Sequence, residues 1–151
     1  MTIQSQVEIK KVVAEDVRPL RHSELRKGQA FSTTSYIEDY EPDTFHMACI
    51  INEKIVTCAS YYKEKSIKIK SDNEYRLRGM ATDSNFQRKG YATDLMQESF
   101  KELKKRDCNM VWCNARLGAV DFYKSIGFNI IGEIFEIEAI GSHYYMYKEI
   151  N

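Results

Sequence analysis

Apolar and polar positions fall into short blocks along the chain, and the spacing within the blocks alternates between strand-like and helix-like. Val7–Val13 reads as a first strand. Asp16–Arg26 is a short, polar helical stretch, with Asp16 placed to cap it and Pro19 in its first turn, where proline is tolerated. Gly28–Asp43 is irregular and polar-aromatic, and it holds Tyr36, Glu38, Asp39 and Tyr40. Thr44–Ile51 and Lys54–Tyr62 are apolar runs of strand length, and Asn52-Glu53 between them suits a tight hairpin. Glu74–Thr82 is a further strand candidate, followed by the polar turn Asp83–Gly90. A helix is predicted from Tyr91 to about Arg106, because Tyr91, Leu95, Met96, Phe100 and Leu103 keep helical spacing. Asn109–Cys113 is a short apolar strand. Leu117–Ser125 is a second helix stopping at Gly127, a natural C-terminal glycine. Phe128–Glu138 and His143–Ile150 read as the last strands, with Gly141 in the turn between them.

This order mixes strands and helices, so it predicts an α/β fold with a sheet covered by helices. The passage from the Glu74 strand through the long helix to the Asn109 strand is a right-handed crossover candidate. Repeats, low-complexity segments and linkers are absent from the sequence, and its 151 residues are read as one domain, 1–151.

Composition narrows the function classes. There are 22 basic and 22 acidic residues, a balance that gives no support for a nucleic-acid partner. Charged residues make up 29% and hydrophobic ones 43%, as in ordinary globular proteins, and no apolar run approaches a membrane span. The first residues, Met1–Gln6, lack the basic and then apolar regions of a secretory signal, so a cytoplasmic location is expected. Cys49, Cys58, Cys108 and Cys113 show no metal-knuckle or redox spacing and are read as buried free thiols. His22, His46 and His143 are far apart, and no metal is expected.

The segment richest in chemistry is Gln87-Arg88-Lys89-Gly90-Tyr91-Ala92-Thr93, between a strand and the start of the long helix. The first turn of such a helix carries N–H groups without helical partners and a partial positive charge. Gly90 lets a ligand approach the backbone, and Arg88 and Lys89 add charge. Two readings fit: a pyrophosphate cradle, or a plain glycine turn ahead of a surface helix. A P-loop does not fit, because Lys89-Gly90 reverses its Gly-Lys order, and no G-x-G-x-x-G follows a strand.

Arg78-Gly79-Met80-Ala81-Thr82-Asp83, with Gln87-Arg88-Lys89-Gly90-Tyr91-Ala92, resembles the acetyl-coenzyme A motif of the GNAT superfamily of N-acetyltransferases, Q/R-x-x-G-x-G/A. Asn114-Ala115-Arg116, then Ala119 and Phe122-Tyr123 through Gly127-Phe128, resembles the second signature of that family. Gly141-Ser142-His143 through Met146 is similar to the ending of some members. Ala92 stands where glycine is commoner, and Thr82 where valine is usual. The resemblance implies a central mixed, mostly antiparallel sheet flanked by helices, with a splayed gap at its centre. It implies that the backbone of Met80, Ala81 and Thr82 pairs with the pantetheine arm of acetyl-CoA. It implies that Gln87, Arg88, Lys89, Gly90, Tyr91, Ala92 and Thr93 hold the pyrophosphate, that Asn114 is a further cofactor contact, and that Tyr123 sits near the thioester sulfur.

The chemistry follows from the groups involved. A lysine-like amine, of pKa ~10.4, arrives protonated and needs a base. The tetrahedral oxyanion needs a donor, for which the Met80 N–H is the candidate. The leaving thiolate, with a pKa of about 8.5, departs without essential help, and Tyr123 can assist it. Ala119, Phe122, Tyr123 and Ile126 also form a core-facing stripe, so packing is the competing role for Tyr123. The base stays open among Glu38, Asp39, Glu41, His46, Glu74 and His143. No cysteine stands at a helix N-terminus beside a basic group, which favours direct transfer over an acetyl-cysteine. The acidic stretch Tyr36–Glu41 suits a cationic amine. Tyr36, Tyr40, Tyr144 and Tyr145, read as exposed, suit either an acceptor pocket or a homodimer contact. The alternative to an enzyme is a non-catalytic coenzyme A-binding sensor or scaffold of the same fold.

Overall fold

The computed structural model describes residues 7–151, so the reading of Met1–Gln6 lies outside the described residues. Seven strands form one sheet: β1 (Val7–Val12), β2 (Phe45–Ile51), β3 (Lys54–Lys63), β4 (Glu74–Thr82), β5 (Met110–Arg116), β6 (Asn129–Ile137) and β7 (Gly141–Glu149). Their order is β1-β2-β3-β4-β5-β7-β6. The pairs β1–β2, β2–β3, β5–β7 and β6–β7 are antiparallel, and β4–β5 is parallel. The helices are α1 (Ala14–Leu25), α2 (Tyr91–Lys105) and α3 (Val120–Ser125). This is the helix-covered sheet that the order of elements predicts, in the mixed, mostly antiparallel form that the resemblance implies. The chain divides into two compact units, one containing the chain up to Tyr62 with Gly79–Ser99, the other Lys63–Arg78 with Phe100–Asn151.

In the first unit, β2 and β3 are buried along almost their whole length, which is why their sequences are continuous apolar runs and not alternating ones. Edge strand β1 exposes Glu8, Lys10 and Lys11, charges that discourage pairing with another chain. Asn52 and Glu53, at φ 48° and 70°, make the tight hairpin between β2 and β3. Helix α1 starts two residues earlier than predicted. Asp16 is therefore its third residue and not its cap, although its Oδ2 still accepts from the Val13 N–H at 3.4 Å. Pro19 consequently lies beyond the first turn, inside the helix, where its missing N–H leaves the Glu15 carbonyl without its usual helical donor. Val17 and Leu20 of α1 pack with Cys58 of β3 and Ala81 of β4. The irregular segment contains two 3-10 turns, Phe31–Thr34 and Ile37–Tyr40.

In the second unit, the parallel register runs from Glu74↔Met110 to Arg76↔Trp112. Strand β5 continues to Arg116, past the predicted end at Cys113, because β7 pairs with it along its full length. Trp112 stacks on Tyr145 at 5.1 Å between ring centroids, and Met110 completes this buried cluster. Tyr145 is thus a core residue and not an exposed aromatic. A 3-10 turn, Leu117–Ala119, precedes α3. Gly127, at φ 103°, ends α3: its N–H bonds the Lys124 carbonyl at 3.1 Å and the Phe128 N–H bonds that of Tyr123 at 2.9 Å. Gly141 is the first residue of β7, and the turn before it is Glu138–Ile140.

Candidate active site

The turn between β4 and α2 is built by its own side chains. The Asp83 N–H donates to the Val56 carbonyl at 2.8 Å, and the Asp83 carboxylate accepts from the Asn85 N–H at 2.9 Å. Glu24 of α1 accepts from both the N–H and the hydroxyl of Ser84. Gln87 donates its amide to the Thr82 carbonyl at 3.2 Å, so this side chain ties the loop to the end of β4. Arg88 and Gly90 then take left-handed φ values of 60° and 86°. A Cβ at Gly90 would meet no atom within 4 Å, so the turn opens on free space there.

Helix α2 starts at once. Its first bond runs from the Asp94 N–H to the Gly90 carbonyl at 3.0 Å, which leaves the N–H groups of Tyr91, Ala92 and Thr93 without a helical acceptor. The helix dipole adds partial positive charge at this end, and the exposed Arg88 and Lys89 add to it. The arrangement suits an anion such as a phosphate ester. Met80 and Thr82 of β4 are half-buried and Ala81 is buried. All residues from Met80 to Thr93 named as site candidates belong to the first unit.

Asn114 and Tyr123 belong to the second unit. Asn114 lies half-buried on β5, in register with Tyr145. Tyr123 is buried in α3, its ring 5.3 Å from Phe122 and 5.2 Å from Phe128. The packing role that its helical spacing predicted is therefore real for the ring.

A cluster in the first unit was not foreseen. Arg21 is fully buried, and its guanidinium grips Asp39 through two parallel bonds of 2.8 and 3.0 Å. The same group donates to the Thr34 carbonyl at 2.8 Å, to Ser60 at 2.7 Å and to Tyr62 at 3.1 Å, with the Tyr36 ring 4.1 Å away over its face. Tyr62 also donates to Asp39. Burial alone would raise the pKa of Asp39, but the bonds from Arg21, Tyr62 and the Tyr36 N–H outweigh it and hold the carboxyl below its ordinary value. Asp39 is thus committed to Arg21 and is not open to a cationic acceptor. Tyr36, read as exposed, is buried against the same group, whereas Tyr40 is exposed and donates to Glu15.

His46 completes the cluster. Its Nε2 donates to the Asp39 carbonyl at 3.0 Å, and its Nδ1 meets Ser60 at 2.7 Å. Burial pushes its pKa down, so it is a neutral ring with both nitrogens engaged, poorly placed to take a proton from substrate. The one trace of this cluster in the sequence is that Arg21 falls on the inward stripe of α1 with Ala14 and Val17.

The four cysteines are all free and buried. Burial pushes Cys58 up to about 12 and Cys108 up to about 11, and raises Cys49 and Cys113 as well. Thiols so far from ionising are not nucleophiles. Among the described residues, no three His, Cys, Asp or Glu side chains are grouped to hold a metal, and no helix is long and apolar enough to cross a membrane.

Residues 14–128 match the acetyltransferase (GNAT) family. Over 144 residues the chain is 31% identical to the uncharacterized N-acetyltransferase YitI of Bacillus subtilis, covering 95% of this chain and 97% of that one. Among solved structures, an aminoglycoside 6'-N-acetyltransferase complexed with coenzyme A is similar in fold, with a TM-score of 0.77 at 13% identity over 95% of this chain and 97% of that one. Ard1 from Thermoplasma volcanium is similar too, with a TM-score of 0.77 at 18% identity over 96% and 98% of the two chains. The family match spans α1 through the end of α3, the whole stretch that contains both signatures, and the protein accordingly belongs to the GNAT acetyltransferase family and is an acyltransferase.

Proposed function

We propose that the protein moves an acetyl group from acetyl-coenzyme A to a primary amine by direct attack in a ternary complex, with residues 1–151 working as one domain. The observation that carries this reading is the turn before α2, where left-handed Arg88 and Gly90, with free space beside Gly90, lead into the helical N–H groups of Tyr91–Thr93. A pyrophosphate bearing negative charge suits that place. The coenzyme A held by the aminoglycoside acetyltransferase of the same fold supports the same ligand class here.

In this reading Arg88, Lys89, Gly90, Tyr91, Ala92 and Thr93 bind the pyrophosphate, with Gln87 bracing their turn through Thr82. The backbone of Met80, Ala81 and Thr82 carries the pantetheine arm, and Asn114 is a further contact on β5. The amine passes its proton to water, the Met80 N–H donates to the oxyanion as the amine nitrogen attacks the thioester carbonyl, and the tetrahedral intermediate releases its second N–H proton to solvent as it expels the thiolate and leaves the amide. Tyr123 donates to the departing thiolate. Direct transfer fits four buried cysteines with raised pKa values.

Thermal melts with acetyl-CoA, coenzyme A and ATP test the cofactor site. At about a hundred times its dissociation constant, acetyl-CoA should stabilise the wild type by roughly 2.7 kcal/mol. A Gly90→Glu variant should lose that shift, because a carboxylate would meet the phosphates and a side chain is strained at φ 86°. A shift by ATP alone, or an equal shift in the variant, would remove the support for this site.

A further inference from the structure

The buried cluster around Arg21 ends on β4 at the residue before Met80. Gly79 has φ 66°, a left-handed kink inside a strand. A Cβ built there would lie 3.1 Å from the Nε of Arg21 and 3.7 Å from the Tyr36 ring. The guanidinium and the ring thus fill the space beside the kink. Arg21 spends its terminal nitrogens on Thr34, Asp39, Ser60 and Tyr62, while its buried Nε has no hydrogen-bond acceptor. A guanidinium fixed from so many directions cannot move away from Gly79 without breaking its grip on Asp39.

Glycine visits both signs of φ readily, so a left-handed glycine in a strand does not hold itself. Something packed against it must. We propose that Arg21 is a positioning residue for acetyl transfer, its guanidinium holding the kink at Gly79 and with it the aim of the next N–H in the chain, that of Met80. The proposal rests on the reading of Met80 as the donor to the thioester oxygen. The Arg21–Asp39 pair ties α1 and the 3-10 turn Ile37–Tyr40 to a single point on β4.

The test is the backbone amide spectrum of the nitrogen-15-labelled protein, saturated first with coenzyme A and then with acetyl-CoA. In the wild type the Met80 amide should shift between the two complexes, because only the second offers it the thioester carbonyl. Arg21→Met should still bind coenzyme A, since the phosphate turn shares no partner with Arg21. It should nevertheless lose the Met80 response. Arg21→Lys keeps the charge but not the contact at Gly79, so it serves the same purpose should Arg21→Met not fold, and the same loss is expected. A variant with a lower melting temperature but an intact Met80 response would mark Arg21 as merely structural and overturn the proposal alone. A wild type that binds both forms with no Met80 response would overturn it together with the role given to Met80.

Discussion

His46 shows how a single residue can couple stability to pH. It is buried, with Nε2–H on the Asp39 carbonyl and Nδ1 on Ser60, and burial holds its pKa below the ordinary value. The unfolded chain binds a proton near pH ~6.5, and the folded one only below that. The stabilising effect is therefore fully present above ~6.5 and is lost as the pH falls through the lowered folded value. Melting temperature should drop between pH 7 and pH 5, and His46→Gln should flatten that dependence. Parallel curves for wild type and variant would show that His46 does not cause it. Asp39 acts in a separate window, since its pKa is also lowered: its contribution is present above ~3.9 and fades only in stronger acid. Neither effect was legible in the sequence. Arg21 meets partners 13 to 41 positions away, and no local pattern announces Ser60 or Tyr62 as its acceptors.

At the level of elements the sequence was more informative. The hairpin at Asn52-Glu53, the start of α2 at Tyr91 and the stop at Gly127 all follow from local backbone chemistry, and all three are observed. The stop at Gly127 makes a sharp prediction. Gly127→Ala places a side chain at φ 103° and brings its Cβ to 2.8 Å from Lys148 Nζ, the far end of a flexible chain that can yield. The cost is then mainly in the backbone, about 1–2 kcal/mol. For a chain of this size that lowers the melting temperature by roughly 3–8 °C, readable in a thermal melt. An unchanged melt would mean that the motif closing α3 contributes nothing. The start of α1 was misplaced because Asp16 is a good cap by type, yet it reaches back to Val13 from inside the helix. The end of β5 was misplaced because residues 114–116 extend only as partners of β7.

For the whole molecule, the two compact units share elements: β4 and α2 each give residues to both. Neither unit can unfold and leave the elements of the other complete. We expect one calorimetric transition, with the van't Hoff enthalpy equal to the calorimetric one. Two resolved transitions would show that the chain works as separable parts and would count against treating residues 1–151 as one domain.

The order of elements and the glycine turn between β4 and α2 were determined by the sequence itself, because periodicity and glycine placement act over a few neighbouring residues, and the mixed sheet followed from the family resemblance of its short signatures. Only the tertiary structure decided the fate of the polar groups. It committed Asp39 to Arg21, engaged both nitrogens of His46, buried Tyr36 and Tyr145, and left Gly90 open to space. A polar side chain is taken or left free according to what distant strands bring beside it, and burial then makes each such pairing obligatory.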